Sequence, residues 1–349
     1  MMTWLRRIGP ALLLLVLAPL TAEFLLGDFS VRRLPFLLIF LPQYGGGALL
    51  IRELARRTGR GWPTMLLLAL AYGLVEEGLT TQSLFNPNYV GQRLLDYGYV
   101  PVLGTSLNWA VFVLTIHVVW SIATPILIAE GVAGARRTTP WLGRPGVGVV
   151  AALFVVGCAI TVATSLGQSR FVAPPPQLVA AGLLAAAAVA VAFGAFRPGL
   201  AAAPSGFRWT PPAWLAGIVC LALASAFELV RHLTQSAGWP APVNLLAALA
   251  CALVAVVLIG RWSRSEAWGP AHVLALAAGT VLTYGWVSTA TFLGGRTSIG
   301  ETAGAVDVAG QILEVLVVLG LIAWAIARSR RTTAELPGAG TGAGAHLPA

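Results

Sequence analysis

WPTMLLLALAYGLVEEGLTTQSLFNP, residues 62–87, opens as an apolar helix and then sets Glu76, Glu77, Thr80, Thr81, Gln82 and Ser83 within the same hydrophobic run. An apolar stretch of about 20 residues spans the hydrocarbon layer of a bilayer as a helix. Ionisable groups at that depth are expensive, and they face a protein interior or a cavity rather than lipid. This one stretch therefore predicts both a membrane helix and a place where the protein holds polar chemistry inside it.

Working outward, similar apolar runs occupy 8–27, 34–54, 105–130, 146–167, 177–196, 212–236, 242–261, 269–293 and 304–327. The expected fold is all-α: a polytopic transmembrane bundle of about ten helices. With 57% hydrophobic and 10% charged residues, the composition excludes an ordinary soluble domain. The lipid bilayer is the expected partner. The net charge of +9 does not indicate nucleic acid, because the arginines sit in short connections between apolar runs.

Arg6-Arg7, Arg56-Arg57, Arg136-Arg137 and Arg330-Arg331 recur at alternate ends of the runs, which predicts that both termini are cytoplasmic. All basic residues are arginine, a bias of the kind a high-GC bacterium imposes, so a multi-pass protein of a bacterial plasma membrane is expected. Leu5-Arg6-Arg7 followed by Ala11 to Leu17 also has the basic and apolar parts of a signal peptide. It lacks a small-x-small cleavage site, so retention as a helix is expected. Cys158, Cys220 and Cys251 lie in apolar runs without paired spacing and predict neither disulfides nor a metal knot.

The organisation expected is a front block of six helices at 1–196, a cytoplasmic linker at 197–211, a rear block of four helices at 212–328 and a disordered tail at 329–349. A polar, aromatic loop at 85–104 predicts a folded cap. In the second helix, Gly45-Gly46-Gly47 reads either as close helix packing through small residues or as a broken helix lining a polar cavity.

Polar residues recur at helical spacing on several runs. Tyr72, Glu76, Thr80 and Ser83 share a face; so do His117, Ser121 and Thr124. Ser225, Glu228 and His232 align on the seventh helix, Tyr284 with Thr280 and Ser288 on the ninth, and Asp307, Gln311 and Glu314 on the tenth. Together with Tyr44 these stripes predict a shared, outward-facing polar cavity. Structural roles account for several members: Glu228 with Arg231 or His232 as an ion pair, Glu23 with Arg32 or Arg33, and Asp307 as a helix cap.

Adjacent carboxylates in a helix point about 100° apart, so keeping both Glu76 and Glu77 out of lipid requires a wide protein-packed sector. With His117 on the next helix, one glutamate can activate water while the imidazole stabilises or protonates an oxyanion. Two carboxylates and one histidine are few for a zinc site, and neither metal nor cofactor is expected. The same carboxylates suit a proton-coupled transporter or flippase of a small or lipid-linked substrate, which is the leading expectation.

The alternative comes from a resemblance. Glu76-Glu77 in a membrane helix, followed by Phe112 and His117 on the next, resembles the glutamic intramembrane proteases, the CAAX-type prenyl endopeptidase and bacteriocin-processing family and its relatives. The resemblance covers about residues 60–130 and implies a peptide substrate, with Glu76, Glu77 and His117 as catalytic residues. This chain departs from the pattern in four ways. Thr81 stands where an arginine follows the second glutamate, Val113 where a phenylalanine precedes the histidine, and Thr80 at the relatives' lysine position. No later histidine is followed four residues on by asparagine, since His232 precedes Ser236 and His272 precedes Leu276.

Overall fold

The computed structural model describes residues 2–196 and 209–334, so most of the predicted linker and tail lie outside the described residues. Every predicted run is helical: α1 (Met2–Pro19, extended by Leu20–Phe24), α2 (Val31–Arg57), α3 (Trp62–Val75, extended by Glu76–Thr80) and α4 (Leu107–Arg136). They are followed by α5 (Arg144–Ser169), α6 (Pro175–Gly194), α7 (Ala213–Ser236), α8 (Ala241–Trp262), α9 (Pro270–Leu293) and α10 (Ala305–Ala334). Among the described residues, eight of these helices, α2 and α4 to α10, are long and apolar enough to cross a membrane, and α1 contributes the shorter apolar Ile8–Phe24. The protein is an all-helical, polytopic membrane bundle.

Burial ranks the helices. Of their most apolar stretches, 61% in α4 and 67% in α9 is buried, against 11% in α5 and in α8, so α4 and α9 form the interior and α5 and α8 the rim. α9 packs on α7, α10 and α4, α3 packs on α6, and α5 packs on α2. One apolar core joins Leu17, Trp109, Phe227, Leu274, Tyr284 and Val318. It draws on both predicted blocks, which therefore share a core on either side of the linker.

The four helices nearest the N-terminus each contain a wide π-type turn: Leu20–Phe24, Leu41–Gly45, Glu76–Thr80 and His117–Ala123. Three have a proline at hand. Pro19, Pro42 and Pro125 lack the N–H that would bond the carbonyl four residues back, and the ring crowds that carbonyl, so the helix widens there. In the fourth, the Glu76 carbonyl accepts from Thr81 N at 2.8 Å and from the hydroxyls of Thr80 at 2.8 Å and Thr81 at 3.0 Å. These donors hold the wide turn open at the two glutamates.

The triple glycine serves close helix packing, at the end of a wide turn rather than a break. Gly45 closes a wide turn, and a Cβ on it would lie 2.2 Å from the Leu15 carbonyl oxygen of α1. A Cβ on Gly47 would lie 2.5 Å from the Tyr72 ring. α2 thus approaches α1 and α3 at distances only glycine permits.

The loop after α3 is folded, as expected, around a short hairpin of β1 (Tyr99–Val100) and β2 (Thr105–Ser106). Ser106 caps α4 by accepting from Trp109 N at 3.1 Å. Gln92 donates to Ser298 O at 2.9 Å, and Tyr97 to Trp239 O at 2.7 Å, tying the loop to the connections between the rear helices.

At the opposite end of α2 lies a buried ion network. Arg52 is fully buried and bonds Glu53 Oε1 at 2.7 Å, Glu130 Oε1 at 3.1 Å and Arg137 O at 2.8 Å, with its guanidinium 3.5 Å from the centre of the Trp141 ring. Arg56 clamps Glu130 through two bonds of 2.8 and 2.6 Å. Arg52 is therefore a structural staple between α2 and α4.

Candidate functional site

The four wide turns meet, and each brings polar side chains to the same place. Leu20–Phe24 supplies Glu23, Leu41–Gly45 supplies Gln43 and Tyr44, Glu76–Thr80 supplies Glu76, Glu77 and Thr80, and His117–Ala123 supplies His117 and Ser121. All of these side chains are buried. A π turn inserts one residue into the helical count and re-aims its neighbours, and such turns are frequent at functional sites. Here that re-aiming lets both adjacent glutamates face one histidine.

His117 stands between the two carboxylates. Its Nε2 lies 2.6 Å from Glu77 Oε1, and its Nδ1 lies 3.4 Å from Glu76 Oε2 and 3.1 Å from Ser121 Oγ. With the proton on Nε2 donated to Glu77, a neutral ring accepts from Ser121 at Nδ1; a protonated ring turns an N–H toward Glu76. Tyr44 stacks on the imidazole at 6.2 Å, and Tyr72 meets it edge-on at 6.0 Å.

The two glutamates are not equivalent. Glu77 Oε2 accepts from Thr81 at 3.1 Å and from the Ser83 hydroxyl, while its Oε1 takes His117. Ser83 in turn receives Trp109 Nε1 at 3.2 Å. Glu77 is thus locked. Glu76 Oε2 is buried without a hydrogen-bond partner, and so is the Tyr72 hydroxyl one helical turn earlier. Buried polar atoms are nearly always bonded, so these two unbonded groups stand out within the cluster.

Glu76, Glu77 and His117 offer ligand atoms within 4.8 Å of one another, close enough to hold a metal ion. The same trio forms a hydrogen-bonded acid-base cluster, in which His117 joins Glu77 and Ser121 and the Ser83 hydroxyl donates to Glu77. In such a cluster Glu77 fixes the ring, Glu76 is free to take a proton, and His117 can carry one.

Of the residues expected at the site, Tyr44, Tyr72, Glu76, Glu77, Thr80, Ser83, His117 and Ser121 come together. Among the described residues, no hydrogen bond, ion pair or ring contact joins Glu228, His232, Tyr284 or Glu314 to them. Tyr284 stacks on Trp120 at 4.6 Å and belongs to the core. Glu228 is buried on α7 with His232 at 3.6 Å, but the His232 side chain is 56% exposed, which corrects the expectation that it lines the interior. Glu314 is half-buried on α10, with one oxygen buried and unbonded.

The cavity that lies beside the cluster is not the expected polar one. The cavity beside the cluster, about 310 Å³, has an almost wholly apolar wall that includes Leu50, Leu68, Tyr72, Phe154 and Ala185. The polar side chains pack on one another instead. Asp307 does cap α10, accepting from Gly304 N at 2.7 Å.

Sequence reasoning missed Gln43, which donates to Thr80 at 3.3 Å and accepts from Thr161. Pro42 beside Gln43 was the available signal. A proline in a membrane helix frees backbone groups that nearby polar side chains accompany.

A family model matches residues 12–336, nearly the whole chain. The chain belongs to an uncharacterized membrane protein family. No curated protein and no solved structure matches this family member. Its cluster spans residues 23–121, within the matched region.

Proposed function

We propose that the protein is an intramembrane hydrolase in which Glu76 and His117 activate water against a carbonyl-bearing, membrane-embedded substrate. The observation that carries this reading is the asymmetry around His117: one carboxylate locked by donors, the other with a free buried oxygen beside the orphan hydroxyl of Tyr72. A water bonded to Glu76 Oε2 loses its proton to that carboxylate as its oxygen adds to the carbonyl carbon. His117, held by Glu77, takes that proton from Glu76 through Nδ1, 3.4 Å away, and gives it to the leaving group as that group's bond to the carbonyl carbon breaks, and Tyr72 is positioned to donate to the oxyanion. General acid-base help of this kind is worth roughly 10²–10⁴ in rate.

The resemblance to glutamic intramembrane proteases supports a peptide bond as the scissile group, and the same chemistry opens a lipid-linked ester or amide. The arginine distribution supports a bacterial plasma membrane with both termini cytoplasmic.

A proton-coupled transporter or flippase is the second reading, favoured by the four wide turns, which give the helices places to shift register around buried carboxylates. Reconstituted vesicles separate the two. The hydrolase reading expects cleavage of membrane substrates by the wild type and its loss in Glu76→Gln and His117→Ala variants that remain folded. Substrate-dependent proton flux without cleavage, impaired by the same substitutions, supports the transporter and overturns the hydrolase.

A further inference from the structure

Glu76 and Glu77 sit in the membrane interior without a fixed cation. They are 2% and 7% exposed, and among the described residues neither forms an ion pair with an arginine. Arg32 pairs with Asp307 and Arg33 with Glu301, while Arg52, Arg56 and Arg57 hold Glu53 and Glu130. Buried charges are paired or coordinate a metal ion. Against the two carboxylates stands the imidazole of His117, which carries at most one positive charge.

The three side chains are placed to share an ion. Each offers a ligand atom, these atoms all lie within 4.8 Å of one another, and all three residues are buried. Ligands bound tetrahedrally at about 2.0–2.1 Å stand roughly 3.4 Å apart. His117 Nε2 and Glu77 Oε1, now 2.6 Å apart across a shared proton, therefore need to part by under about 1 Å to admit an ion.

The ligands are also held from behind, as metal-binding groups are. Glu77 Oε2 accepts from Thr81 at 3.1 Å and from Ser83, which leaves Oε1 for the ion. With an ion on Nε2, the ring carries its proton on Nδ1 and donates it to Ser121 Oγ, 3.1 Å away. Glu76 Oε2 is buried, 3.4 Å from the imidazole and without a hydrogen-bond partner, so it is an open ligand.

We propose that Glu76, Glu77 and His117 bind a divalent transition ion of the Zn²⁺ class, and that the bound ion holds the acid-base cluster inactive. One imidazole with two carboxylates suits such an ion, and the charges of two carboxylates and a divalent cation sum to zero in a buried place. The ion occupies the Glu76 oxygen that takes the proton from water and the Nε2 that bonds Glu77. The inhibition rests on the hydrolase reading; the binding does not.

Untagged full-length protein in lipid nanodiscs is titrated with Co²⁺, whose visible d–d bands report low-coordinate nitrogen and oxygen ligation, and Zn²⁺ then displaces it. A His232→Ala background removes the exposed histidine beside Glu228 as a competing weak site. A single bound ion per chain is expected, with the bands abolished in Glu76→Gln, Glu77→Gln and His117→Ala. Ser83→Ala keeps all three ligands and is expected to weaken binding roughly 10–100-fold. No bands in the His232→Ala protein, or bands unchanged in Glu76→Gln and His117→Ala, overturn the proposal. Should the ligand variants fail to fold, Ser83→Ala decides, and unchanged affinity there overturns it. Cleavage of membrane substrates is expected to stop at Zn²⁺ levels that saturate the site, and cleavage undiminished or raised overturns the proposal too. An ion held by the trio in a protein that cleaves nothing with or without Zn²⁺ supports the metal site while counting against the hydrolase.

Discussion

Replacing each glutamate of the pair by glutamine separates locking from chemistry. Glu77 accepts from Thr81, Ser83 and His117. Hydrogen bonds to a charged group contribute about 1.5–3 kcal/mol each. Glutamine keeps the shape and one oxygen, so roughly one charged bond is lost outright and the others weaken, and Glu77→Gln is expected to cost about 2–4 kcal/mol. Glu76 has an unbonded buried oxygen, so Glu76→Gln is expected to cost under about 1 kcal/mol and even to stabilise, since a desolvated charge is removed. The gap of about 2 kcal/mol corresponds to a factor of about 30 in the unfolding equilibrium. Thermal unfolding of both variants in matched lipid-detergent micelles measures it. Equal losses, or a larger loss for Glu76→Gln, would refute the assignment of Glu77 as the locked member.

Arg52→Met removes the fully buried cation shared by Glu53 and Glu130, leaving Arg57 on Glu53 and Arg56 on Glu130, and a loss of about 3 kcal/mol is expected in the same unfolding assay. Gly47→Ala pushes a methyl group into the Tyr72 ring and is expected to cost about 1–3 kcal/mol, part of which Tyr72→Leu restores by removing the obstructing ring atoms. Asp28 lies between the first two spans, where burial, with the Glu77 charge adding to it, pushes its carboxyl up from 3.8 to about 7. Between those values the folded state binds the extra proton, so this residue makes stability fall as pH rises from about 4 through 7, and Asp28→Asn is expected to flatten that part of the curve.

Hydropathy made the helices legible, because crossing hydrocarbon imposes a length and an apolar content that the runs at 8–27 to 304–327 all show. Glu76, Glu77 and His117 were legible for the converse reason, since carboxylates in a membrane helix need compensation. Helical spacing could not tell which stripes meet. Glu228, Tyr284 and Glu314 show the same periodicity as Tyr72 and Ser121, yet the packing of α7, α9 and α10 takes them elsewhere. The wide turns were also hidden: a π turn changes the face of every later residue in its helix, and regular spacing counted through Glu76 or His117 carries that error. Glu23 paired by proximity in sequence with Arg32 and Arg33, but those arginines have nearer carboxylates contributed from the far end of the chain.

The central claim is that Glu76 activates water held beside His117. Membranes carrying the wild type or Glu76→Gln, incubated in oxygen-18 water, report it whichever membrane substrate is cleaved, because hydrolysis places one water oxygen in each new carboxylate. The account predicts labelled peptide or lipid-derived carboxylates with the wild type and their loss with the folded Glu76→Gln variant. Identical labelling in the two would contradict it.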